Sequence, residues 1–132
     1  MTIPFWCLFA VLMMPLLLAF VGGYFRGKQF GQADNKNPRA QVARLEGTGA
    51  RAYAAQANAW EAATLFAPAV LVAHLAGVPA ESAAPWTIAF VVFRVLHAGF
   101  YLADIDMARS ASFMGGMVCV VALFVKIGRA HV

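Results

Sequence analysis

Residues 3–25 read IPFWCLFAVLMMPLLLAFVGGYF, an apolar run without a charged side chain. A bilayer-spanning helix needs about 20 such residues, so this run is long enough to cross. A cleaved secretory leader is the alternative, but it carries a basic segment ahead of a shorter apolar core. No Lys or Arg precedes Ile3. The reading is a retained transmembrane helix in which Pro15 marks a place to kink. Composition agrees. Of 132 residues, 62% are hydrophobic and 12% charged, against roughly 45–50% and about 25% in soluble domains. That sets aside a soluble globular or disordered chain, and the length suits one domain over residues 1–132.

Three further helices are expected. Residues 48–77 are Ala-rich and helix-prone, semi-polar in their first half and apolar in their second. Gly77 with Pro79 stops that helix, and a span is expected over about 50–77. A loop, VPAESAAP, covers 78–85, and WTIAFVVFRVLHAGFYLA makes a third span over 86–103. The turn DIDMAR leads into a fourth span, about 108–126, where Lys126 can snorkel. The tail KIGRAHV, with His131, matches no element. The expected class is an all-α integral membrane protein, a bundle of four transmembrane helices.

Charge gives the orientation. Five of the ten Lys and Arg residues (Arg26, Lys28, Lys36, Arg39, Arg44) fall in the first polar connection, around the turn cluster DNKNP. The positive-inside rule places that loop in the cytoplasm, with the DIDMAR turn beside it and both termini outside. Lys126 and Arg129 pull mildly the other way. The net charge of +4 is thereby explained without nucleic acid as a partner. Cys7 and Cys119 lie in apolar runs and imply no disulfide framework. No metal-ligand spacing is present, and Asp104 with Asp106 reads as a turn and helix cap.

The polar residues inside the spans are not scattered. At about 100° per residue, Arg51, Asn58 and Glu61 share one arc of the second helix, with Trp60 opposite. On the third helix Arg94, His97, Tyr101 and Asp104 share another, and Arg109 and Ser110 open the fourth. Ionisable groups in a membrane cost about 2.5–3.5 kcal/mol each at mid-depth and mark functional sites by default. Gluing helices together is the plainer role for any one of them, but the whole set exceeds what packing needs. An Arg-rich pocket half in the bilayer suits a small anion beside a lipophilic partner. His74 falls off this face and reads as interfacial or packing.

The stretch from Arg51 to Glu61, RAYAAQANAWE, followed by Leu65 and Phe66, resembles the second-helix motif of the MAPEG family, the membrane-associated proteins in eicosanoid and glutathione metabolism. Asn58 and Glu61 match its Asn-x-x-Glu core. His97 and Tyr101 repeat a His-x-x-x-Tyr spacing of the prostaglandin synthase branch, and Arg109-Ser110 resembles the pair opening that branch's fourth helix. The resemblance implies a homotrimer with glutathione as cosubstrate, bound between subunits near the cytoplasmic face. It implies that Arg26, Arg51, Asn58, Glu61, His97 and Tyr101 hold glutathione. Arg109 and Ser110 would then stabilise its thiolate for attack on a lipophilic electrophile arriving from the membrane lipids. The small bacterial members are the most similar, which implies a bacterial inner membrane. Ala54 and Ala57 stand where the eicosanoid branch has Arg, and Phe113 where it has Tyr.

Three functions are therefore weighed. The first is a glutathione-dependent membrane transferase or peroxidase. The second is a non-catalytic trimeric scaffold that binds lipid or a partner protein, which the missing arginines favour. The third is a small multidrug-type transporter, whose usual first-helix Glu has no counterpart here.

Overall fold

A computed structural model describes residues 1–130. Within them every regular element is an α-helix: α1 (Ile3–Phe30), a short α2 (Pro38–Val42), α3 (Gly47–Leu75), α4 (Ala80–Leu102) and α5 (Asp106–Ala130). Three of these, α1, α4 and α5, are long and apolar enough to cross a membrane. Helix α3 has 29 residues, but its polar first half keeps it out of that set. His131, noted above as tail, lies outside the described residues.

Packing follows residue size. Helix α1 buries Pro4, Cys7, Val11, Pro15, Leu18 and Gly22, one side of a 3.6-residue repeat. Its opposite side exposes Trp6, Phe9, Leu17, Phe20 and Tyr24, an arrangement suited to lipid rather than water. The partner of α1 is mainly α3, and that of α4 is α5. Helix α3 buries a stripe of small residues, Gly49, Ala52, Ala55, Ala59, Ala62 and Ala63 among them. Small side chains let helix backbones approach closely, which is how helices associate where lipid removes the hydrophobic drive. At the centre Phe66 of α3 stacks face to face on Phe90 of α4, with centroids 4.1 Å apart and both side chains fully buried.

Both tight connections close in the same way. After α3, Val78 N donates to Ala73 O (3.0 Å) and Gly77 N to His74 O (3.1 Å), with Gly77 at φ 76°. This is the Schellman pattern, which uses a left-handed residue to satisfy the last carbonyls. After α4, Ile105 N donates to Phe100 O (2.9 Å) and Asp104 N to Tyr101 O (3.3 Å). There the left-handed residue is Asp104, at φ 63°.

Several expected boundaries move. Helix α1 runs past Phe25 to Phe30, because Arg26 and Lys28 are helix-compatible once the chain leaves the apolar zone. It also continues through Pro15 as one helix. The expected loop at 78–85 shrinks to a turn: Pro79 is the N-cap of α4, and Pro85 lies inside it. Pro85 removes one hydrogen bond, to the carbonyl of Glu81 four residues back, and both residues are exposed. Helix α5 extends past Lys126 to Ala130, so most of the tail is helical. Asp106 is the first residue of α5 rather than its cap, its carboxylate accepting from Met107 N at 2.7 Å. In the polar connection the DNKNP cluster does turn. Asp34 Oδ1 accepts from Lys36 N (2.8 Å) and Asn37 N (3.0 Å), and Pro38 opens α2. Those two backbone donors hold the Asp34 carboxyl below its ordinary pKa.

Candidate functional site

Three helices converge on one cleft. Arg94, His97 and Tyr101 sit at i, i+3 and i+7 of α4, a single helix face. Arg94 is 2% exposed and His97 3%. Arg94 Nη2 donates to Asn58 Oδ1 of α3 at 2.7 Å. The same nitrogen lies 3.4 Å from His97 Nδ1. Because Arg only donates, that contact makes Nδ1 the acceptor and leaves the ring proton on Nε2. Asn58 passes the interaction outward, its Nδ2 donating to Glu61 Oε2 at 3.2 Å. Glu61 itself is exposed on the outer side of α3.

From α5, Arg109 places its guanidinium carbon 4.5 Å above the Tyr101 ring, a cation–π geometry. His97 packs edge-on against Tyr101 at 5.6 Å and lies 6.2 Å from Phe113. Asn58, His97, Tyr101, Arg109, Ser110, Phe113 and Met114 together line an open cleft of about 290 Å³. Arg94 lies behind this wall. Its Nε and Nη1 are buried without a hydrogen-bond partner. Such orphan donors are rare in folded proteins and call for a partner. The lining donors, the Arg109 guanidinium, the Tyr101 and Ser110 hydroxyls, the Asn58 amide and the His97 imidazole, match an anionic ligand with polar arms.

The structure sorts the residues named from sequence. Asn58, His97, Tyr101, Arg109 and Ser110 share the cleft, and Glu61 joins it through Asn58. Arg51 does not line it. Its Nε donates to Leu102 O (3.3 Å), Nη1 to Asp104 Oδ2 (3.4 Å) and Nη2 to Thr48 Oγ1 (3.0 Å). Arg51 therefore braces the end of α4. Arg26 stands on α1 with its Nε buried and unpartnered, also away from the cleft lining. Helical spacing makes Arg94 one member of a polar stripe on α4. Its signal in sequence was a lone cation amid WTIAFVVF and VLHAGF; its place at the hub was not readable there. Met114, one apolar residue in an apolar span, carries no signal in sequence for its place in the cleft. His74 packs against Phe5, ring centroids 4.9 Å apart, at the other end of the bundle.

Long apolar helices with exposed aromatic and aliphatic faces, carrying a polar cluster between three of them, define a polytopic membrane protein with a polar site at one end. The MAPEG family model matches residues 3–129, nearly the whole chain. The chain belongs to the MAPEG family. No curated protein and no solved structure matches it.

Proposed function

We propose that this protein is a glutathione-dependent membrane transferase or peroxidase acting on lipophilic electrophiles. The observation that carries the reading is the convergence of Arg109 and Ser110 with Asn58, His97 and Tyr101 on one cleft, in a family associated with glutathione.

Glutathione supplies a thiol, two carboxylates and an ammonium group. Arg109 and Ser110 stand in the first turns of α5, where the helix dipole adds partial positive charge. A guanidinium, a hydroxyl and that dipole together favour a thiolate over a thiol, raising the nucleophilic fraction. Tyr101 and Arg109 hold each other in place. Asn58 and His97 offer polar contacts along the cleft, and Glu61, hydrogen-bonded to Asn58, is a carboxylate that can receive an ammonium. The unpartnered donors of Arg94 keep this end positive without competing for the cleft surface. The open side exposes Met114, a soft apolar wall for an electrophile arriving from lipid.

The same proposal takes the whole chain as one membrane domain with α3 as a fourth span, assembled as a homotrimer. It is supported by Glu61, whose carboxylate is exposed on the outer side of α3 with Asn58 as its hydrogen-bond partner, where a neighbouring subunit would cover it. It takes residues 31–46 as cytoplasmic and the membrane as a bacterial inner membrane, on charge and resemblance. A scaffold without turnover is the second reading. Ala54 and Ala57 favour it, since these positions offer no guanidinium.

The test is equilibrium glutathione binding to the detergent-purified protein beside Arg109→Ala. Loss of one charge-assisted contact of about 1.5–3 kcal/mol predicts roughly 10- to 150-fold weaker binding in the variant. Absence of saturable binding at cellular glutathione concentrations would sink the transferase reading and leave the scaffold. Native mass spectrometry of the same samples reports the trimer.

A further inference from the structure

We propose that the bundle holds a second ligand site at its other end, an apolar cavity that takes a hydrocarbon chain or ring. The cavity encloses about 220 Å³. Its wall is built from Phe5 of α1, Val70 and Ala73 of α3, Val78 of the α3–α4 turn, Ala83 of α4 and Leu123 of α5. All four long helices thus contribute, and the Gly77 turn fixes Val78 in place.

The lining names the ligand class. The Thr87 hydroxyl is fully buried there, but it donates to Ala84 O at 3.0 Å and has no free proton to offer. Thr2 and His74 are the other polar lining residues; both are exposed at the rim, and His74 packs on Phe5. No polar group at the back of the cavity is unsatisfied, so a polar ligand gains nothing by entering. Protein interiors are close-packed, with few voids larger than a water molecule. An apolar cavity of about 150 Å³ stays dry and accepts benzene. By proportion, this one accommodates roughly nine carbon atoms. Hydrocarbon is also the medium around a membrane protein, so occupancy asks for little intrinsic affinity.

The two sites are separate. Along α3 the order is Asn58, Phe66, Ala73; along α4 it is Arg94, Phe90, Ala83. The stacked Phe66–Phe90 pair closes the space between them. A hydrocarbon bound here therefore does not displace a ligand from the polar cleft. It braces the start of α1 against the α3–α4 hairpin.

The chemistry fits either the tail of a membrane lipid or a free small lipophile, and photolabelling distinguishes them. The full chain in phosphatidylcholine nanodiscs is irradiated with a free octyl diazirine, or with phosphatidylcholine carrying a diazirine in one acyl chain. Adducts are mapped by peptide mass spectrometry. The site predicts labelling of inward-facing Val70, Val78 and Leu123, by the lipid probe if the ligand is an acyl tail and by the free probe if it is a small lipophile. Ala73→Phe fills the cavity and should bring that labelling to background, leaving Leu71, Leu75 and Val121 labelled on the outer surface. Ala83→Leu fills it from the opposite wall and serves if the larger substitution blocks assembly. Adducts confined to Leu71, Leu75 and Val121, or inward labelling that persists in the filled variants, would overturn the proposal.

Discussion

Asp104 holds a left-handed conformation that usually belongs to glycine, and replacing it by Gly and by Ala separates two forces. At φ 63° a residue with a Cβ carries a steric cost of about 1–2 kcal/mol. Against that stands the ion pair to Arg51 at 3.4 Å, with side chains 28% and 70% exposed. An ion pair that open contributes about 0.2–1 kcal/mol. Asp104→Gly relieves the strain and loses the pair, and glycine's extra freedom when unfolded takes back part of the relief. The expected net is within about 0.5 kcal/mol of the native chain. Asp104→Ala loses the pair without relief and forfeits the local hydrogen bonding that eases Asp into this region, so it falls about 0.5–1.5 kcal/mol. The two variants should therefore differ by about 1 kcal/mol, roughly a fivefold change in the unfolding constant. Denaturation by SDS in mixed micelles, followed by circular dichroism, reads that difference. Equal destabilisation of both variants would refute the conformational argument and give the turn to electrostatics. Glycine falling below alanine would mean that position 104 is not left-handed in the folded protein.

Other perturbations report on other parts of the molecule. Asn58→Ala removes the acceptor 2.7 Å from Arg94 Nη2 and leaves that nitrogen only its longer contact to His97 Nδ1; a cost of about 1–3 kcal/mol is expected in the same unfolding assay, together with weakened glutathione binding. Gly115→Ala puts a Cβ 2.5 Å from the Phe93 ring. Overpacking of that kind costs about 1–3 kcal/mol, and Phe93→Leu should recover most of it; no recovery would place the clash elsewhere. Asp34 has its pKa lowered in the folded state, so its contribution is present above the unfolded carboxylate value and lost as pH falls through the folded one. The protection of the Lys36 and Asn37 amides, measured as exchange relative to the intrinsic rate at each pH, should fall across that acid window in the native chain and be absent at all pH in Asp34→Ala.

How much of this was legible in the sequence depends on which coordinate a residue's role needs. The spans of α1, α4 and α5 were readable because apolar runs of that length have one use. The shared faces of Asn58 with Glu61 and of Arg94, His97 and Tyr101 were readable because helical rotation is fixed at about 100° per residue. Rotation says nothing of depth. Arg51 lies on the same arc as Asn58 but seven residues earlier, about 10 Å along the axis at 1.5 Å per residue. It reaches the end of α4 instead of the cleft. Helix ends were the weak point for a related reason. Pro85 and Lys28 look like boundary residues, yet a helix needs hydrogen bonds rather than apolar side chains to continue. The burial of Arg94 depends on which helices close over it, and no single-helix pattern contains that.

The connections between helices differ in what they let evolution do. Loop closure entropy grows only slowly with length, so residues 31–46, with a side-chain-held turn near the start, can lengthen or shorten at small cost. The turns after α3 and α4 have no such freedom. One inserted residue at 76–79 or 103–105 breaks the bond that spans the turn. It also rotates the following helix by about 100°, carrying His97 or Arg109 off the cleft. Length variation among descendants of this sequence should accordingly gather in the first connection, while the two tight turns keep their count and drift only in composition.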